Sequence, residues 1–122
     1  MKLYALSDLH LRHEHNRRAL ESLPSYPEDW LIVAGDVGES LEELDYACRV
    51  LTARFRQVLW VPGNHELWTL PRDASPLRGE ARYRQLVTLC RAHGVLTPED
   101  PYPRWPGEGP ARILAPLFLL YD

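Results

Sequence analysis

The chain has 122 residues, 45% of them apolar and 25% charged, and a formal net charge of -3. That length supports one modest hydrophobic core, hence a single domain over residues 1–122, and the balance of residue types excludes a disordered or fibrous chain. A slightly acidic total argues against broad, non-specific nucleic-acid binding, so nucleic acid is a less favoured partner.

Met1-Lys2-Leu3-Tyr4-Ala5-Leu6 opens like a signal peptide, but Ser7 and Asp8 end the apolar run too early for one. No run approaches the length of a membrane span, so a membrane is not an expected partner. Lys2 to Leu6 reads instead as a first strand ending in Ser7-Asp8-Leu9-His10. Asn16 to Leu23 has the pattern of a short helix, closed off by Pro24 and Pro27. Trp30-Leu31-Ile32-Val33-Ala34 is a continuous apolar run bounded by turn residues, which predicts a strand buried on both faces. It leads into Gly35-Asp36-Val37-Gly38, where two glycines permit a sharp turn and leave space around the carboxylate.

Ser40-Leu41-Glu42-Glu43 is a capping box: the Ser40 hydroxyl and the Glu43 carboxylate satisfy the first free amides of a helix. Leu41, Leu44, Ala47, Cys48, Leu51 and Phe55 then fall mostly at helical spacing. Gln57 to Val61 is a third strand, followed by the polar turn Pro62-Gly63-Asn64-His65-Glu66. A helix from about Glu80 to His93 carries Tyr83, Leu86, Val87, Leu89 and Cys90, with Gly94 at its C-terminal cap. Arg78, Arg82, Arg84 and Arg91 read as its wet side. Val95 and Leu96 suggest a short fourth strand. Five prolines between Thr97 and Pro110 predict a loop, and Ala111 to Tyr121 is a last apolar run interrupted by Pro116. Cys48 and Cys90 lie on apolar helix faces with no second thiol at ligand spacing, which predicts buried reduced thiols and a cytoplasmic protein.

The alternation of strand and helix implies an α/β fold with a layered, mostly parallel sheet, flanking helices and right-handed crossovers. The carboxyl ends of such strands open on one edge, where ligands bind. Asp8/His10, Asp36 and Asn64/His65 each follow a strand, so topology alone gathers them. Taken singly, each reads as an ordinary turn or surface residue; their joint placement at three successive strand ends is the informative feature. Alternate residues of an extended segment share a face, so Asp8 and His10 are expected to point the same way. Carboxylate, imidazole and amide donors without a thiolate suit Mn²⁺, Fe or Zn²⁺. A central carboxylate such as Asp36 can bridge two ions, which together clamp a phosphoryl group and generate hydroxide at neutral pH. His65 lies next to a ligand, as a general acid or electrostatic stabiliser would. Arg12, His13 and His15 follow the first turn and are candidates for binding phosphate, with a solvated loop as the plainer alternative. Arg17 and Arg18 are read in the same way, as a solvated helix face.

Ser7-Asp8-Leu9-His10, Gly35-Asp36-Val37-Gly38 and Gly63-Asn64-His65-Glu66 resemble the first three signature blocks of the calcineurin-like metallophosphoesterases. Their order and approximate spacing match, as does the closing Ala115-Pro116-Leu117-Phe118 with Tyr121-Asp122. The resemblance implies that Asp8 and His10 bind a first metal, Asp36 bridges, Asn64 binds a second and His65 is catalytic. It implies one or two divalent ions per chain, and the first half of the family's α/β sandwich as the fold. The family's later Gly-His and Gly-His-x-His blocks, which supply three more histidine ligands, have no counterpart here. The other histidines are His13, His15 and His93, and His93 reads as a helix end. A shortened family member is therefore expected, with its apolar C-terminal strand paired to another copy in a homo-oligomer. The function implied is hydrolysis of a phosphomonoester or phosphodiester, in a small molecule or nucleotide, by metal-bound hydroxide at an incomplete dinuclear site. Two alternatives remain open: an inactive or weakly metal-binding remnant acting as an interaction module, and a Mn-dependent nuclease.

Overall fold

A computed structural model describes residues 1–119. Strands β1 (Leu3–Leu6), β2 (Tyr26–Ala34) and β3 (Phe55–Val61) alternate with helices α1 (Glu14–Glu21), α2 (Leu41–Thr52), α3 (Asn64–Leu67) and α4 (Gly79–Ala92). The strands form a parallel sheet in the order β1-β2-β3. This is the α/β architecture that the strand–helix alternation predicts, and it sets all three strand ends on one edge.

The expected capping box starts α2. Ser40 Oγ accepts from the Glu43 amide at 3.2 Å, while Glu43 Oε2 accepts from the amides of Ser40 at 2.9 Å and Glu39 at 2.6 Å. Its apolar face then packs Leu44, Ala47, Cys48 and Leu51 against Leu31, Val33, Val58 and Trp60 of the sheet and Leu86, Val87 and Cys90 of α4. Each leucine or valine among them withdrawn from water contributes roughly 1.5–3 kcal/mol before entropy is counted. α4 ends at Ala92 with His93 as its C-cap, followed by Gly94 at φ +75°, the left-handed conformation that closes a helix.

Several boundaries differ from expectation. β2 begins at Tyr26 and includes Pro27, which was expected to stay outside it; the register is irregular between Tyr26 and Trp30, where the missing N–H interrupts the ladder. α1 starts two residues earlier than Asn16 and ends at Glu21. The polar turn after β3 contains the short helix α3. Val95 and Leu96 are reduced to one parallel bridge, Leu96 with Leu59. β2 is not buried on both faces: Leu31 and Val33 face the helices, whereas Ile32 is half-buried and Ala34 exposed on the other side. Among the described residues that second face is met at Trp30 by Trp105, ring centroids 5.6 Å apart, and further along by the segment from Ile113 to Leu117, across an apolar cleft of about 310 Å³. The expected C-terminal strand is absent among the described residues. Its part there makes one antiparallel bridge, Ile113 with Arg104, because the proline-rich loop folds back on it through bonds such as Trp105 N–H to the Arg112 carbonyl, 2.9 Å. Tyr121 and Asp122 lie outside the described residues. No helix among the described residues is long and apolar enough to cross a membrane.

Candidate metal centre

Beyond β1 and β2 the two turns stay side by side. The Asp8 amide donates to the Gly35 carbonyl at 3.1 Å, His10 to Asp36 at 3.1 Å and Leu11 to Val37 at 2.9 Å. Asp8, His10 and Asp36 all adopt positive φ, at 56°, 44° and 53°. Non-glycine residues seldom accept this conformation, and such strain gathers where function requires it. The Asp8–His10 convergence therefore does not come from strand alternation as expected: two left-handed residues curl the chain instead. One ligand atom from each of Asp8, His10 and Asp36 lies within 4.8 Å of the other two, and His10 Nε2 is 3.7 Å from Asp8 Oδ1. Donors bonded to one ion at about 2.1 Å are up to about 4.2 Å apart, so this span is close to what a single cation bridges. Two carboxylates and an imidazole fit a borderline divalent ion such as Mn²⁺, Fe²⁺ or Zn²⁺.

The third turn is pressed against the second. A Cβ on Gly35 would lie 2.6 Å from the Gly63 nitrogen, and one on Gly63 would collide with Asp36. The space at Gly35 is thus filled by backbone, that at Gly63 by the carboxylate and amide of Asp36, and that at Gly38 by Glu43. Asp36 Oδ1 accepts from the His65 amide at 3.2 Å. Asn64 joins Asp8 and Asp36 in lining a groove of about 460 Å³ whose other wall is apolar and includes Leu67, Trp68 and Leu117.

His65 sits beside the carboxylates with its ring 5.0 Å from that of His10 and 4.1 Å from that of Trp68, centroid to centroid. Its Nδ1 pairs with Glu39 Oε1 at 3.2 Å, which holds that edge of the ring. Arg72 donates to Glu39 Oε2 at 3.0 Å, and Arg12 Nη1 is 3.9 Å from the same oxygen. Burial pushes the Glu39 carboxyl up, but the bonds from His65 and Arg72 and the charges of His65 and Arg12 outweigh it and hold the group below its ordinary value.

Arg12 thus reaches the edge of the site. His13 caps α1 and His15 lies on its first turn; both are exposed, and among the described residues neither side chain bonds to the cluster. Arg17 is turned away in a pair with Glu42 at 2.8 Å, and His93 pairs with Asp45 at 2.7 Å.

Three organising residues escaped the sequence reading. Glu66 is 2% exposed and accepts from the amides of Val37 at 2.6 Å, Gly63 at 2.8 Å and Asp36 at 3.0 Å. Burial nonetheless pushes its carboxyl above the ordinary value, against those three donors. Glu39 is the partner of His65. Arg82, expected on the wet side of α4, is 1% exposed and bonds to both turns, donating to the carbonyls of Glu66 and Glu39. The only sequence signal for Glu66 was its place three residues after Gly63, the spacing of a capping carboxylate.

The family model described as calcineurin-like phosphoesterase matches residues 1–109. The chain is 52% identical over 121 residues to an [acyl-carrier-protein] phosphodiesterase, PptH, of Mycobacterium tuberculosis, covering 98% of this chain and 37% of that protein. The crystal structure of phosphopantetheinyl hydrolase (PptH) from the same organism superposes with a TM-score of 0.93 at 51% identity, over 98% of this chain and 43% of that one. The chain therefore spans less than half the length of the relatives it matches.

Proposed function

Since the chain belongs to the calcineurin-like phosphoesterase family, we propose that it supplies metal-binding residues of a phosphodiesterase acting on a phosphopantetheinyl ester of an acyl carrier protein. The observation that carries this reading is the convergence of Asp8, His10 and Asp36 on one point at the sheet's carboxyl edge. The substrate class is suggested by the phosphodiesterase activity for which the 52%-identical relative is named. Asp8, His10 and Asp36 would hold one divalent cation, and Asp36 with Asn64 a second. Such an ion supplies Lewis-acid polarisation of a phosphoryl oxygen and lowers the pKa of water.

The chain's own residues do the rest. His65 Nε2 delivers a proton to the departing oxygen, and Glu39 at Nδ1 keeps the imidazole oriented and stabilises its charged form. Arg12 offers a positive charge to the ester's anionic oxygens; His13 and His15 stay secondary candidates for the same role. The apolar wall of the groove suits the uncharged part of the ester. A cytoplasmic setting belongs to the same reading, supported by two free buried thiols, Cys48 and Cys90, whose sulfurs are 4.0 Å apart. Association of copies through the apolar C-terminal segment is a further part of it, supported by Ile113 and Leu117, each 67% exposed, and Leu119 at 86%.

The test incubates the protein with Mn²⁺ and a carrier protein bearing its phosphopantetheinyl arm, and follows loss of the arm by intact-protein mass spectrometry. Turnover is expected, and Asp36→Asn should lower it about a hundredfold or more by removing the shared ligand. Unchanged turnover in that variant would overturn the reading. Cleavage of single- or double-stranded DNA in place of the carrier ester would replace it by the nuclease alternative. Absence of both turnover and Mn²⁺ binding would leave the interaction module.

A further inference from the structure

We propose that Arg82 is a positioning residue that locks the Asp36 turn to the Asn64–His65 turn and so sets the separation of the metal-binding groups; the idea rests on the metal-site reading above. A guanidinium persists in an interior only where its donors are used, and Arg82 on α4 is 1% exposed. Its Nε donates to the Glu66 carbonyl at 3.1 Å and its Nη2 to the Glu39 carbonyl at 3.0 Å.

Those two carbonyls belong to the residues that organise the site. The Glu66 carboxylate collects the amides of Asp36, Val37 and Gly63, and the Glu39 carboxylate holds His65. A single planar cation thus grips the main chain of both turns, and its fork fixes the distance between them. Lysine presents a point charge and no such fork. Nη1 has no partner among the described residues, a cost that an aliphatic residue filling the same space would avoid. Space-filling therefore does not account for arginine here; two anchored donors do.

The test compares Arg82→Met and Arg82→Lys with Leu86→Ala, a cavity in the same helix at a residue that is also 1% exposed. Calorimetry with Mn²⁺ should show affinity falling about 10- to 100-fold in Arg82→Met, partly restored in Arg82→Lys, and changed less than about twofold in Leu86→Ala. In metal-free protein, amide exchange at Val37 and Gly63 should quicken about tenfold or more in Arg82→Met, beyond any change in Leu86→Ala. The proposal is overturned if Arg82→Met keeps wild-type affinity and exchange, or if Leu86→Ala reproduces both effects. It is equally overturned if neither Arg82 variant folds while Leu86→Ala does, because Arg82 would then support the fold at large. Should wild-type protein bind no Mn²⁺, the metal-site reading fails by itself and the exchange measurement alone decides the role of Arg82.

Discussion

Glu39 carries more of the site's electrostatics than its place in the sequence suggests. It receives His65, Arg72 and the charge of Arg12, and its carboxyl is held below the ordinary value because these partners outweigh burial. A carboxyl with a lowered folded pKa contributes stability that is fully present above its unfolded value, about 4.3, and is lost as pH falls through the folded value. Wild-type protein should therefore exceed Glu39→Gln in stability at neutral pH, and the gap should close below about pH 4 in urea titrations. The same variant should lower turnover about tenfold or more with little change in KM, since the amide no longer supports a protonated His65. Neither effect was visible from the sequence. Val37-Gly38-Glu39-Ser40 reads as a loop leading into a helix, and nothing local states that His65 arrives beside it.

At the scale of elements, α2 is the one whose origin is fully local. Its capping box closes between residues three apart, and both halves of the box form. Replacing Ser40 by alanine should cost about 1 kcal/mol in chemical denaturation. Losing Glu43 as well should cost more, because its Oε2 also holds the Glu39 amide next to the site. Strand ends and helix faces were legible for the same reason: period and punctuation are short-range properties. The less local features were misread. Pro27 lies within β2, at the point where its missing N–H leaves the ladder irregular. The apolar run after Pro110 formed no strand in its described part because the loop from 97 to 110 returned to pair with it.

For the whole molecule, the sheet has one face sealed by helices and one face met, among the described residues, by Trp105 and the C-terminal segment, with Ile113, Leu117 and Leu119 exposed. Apolar surface of that kind favours association. Light scattering should show an apparent mass that rises with concentration, and Leu117→Lys should reduce that rise. A concentration-independent monomer would remove the self-association proposal and leave the phosphodiesterase reading intact.

The sequence by itself determined the alternation of strands and helices, the α2 cap, the family, and the placing of Asp8, His10, Asp36 and Asn64 at strand ends. These follow from residue periodicity, short-range hydrogen bonding and motifs a few residues long. Only the tertiary structure decided that Asp8, His10 and Asp36 converge through left-handed backbone. It alone showed that Gly35 admits the neighbouring main chain and Gly63 the Asp36 carboxylate, and that Glu66, Glu39 and Arg82 tie the turns together. The physical reason is that a buried charge takes its meaning from the donors and acceptors around it, and those come from parts of the chain that folding alone brings near.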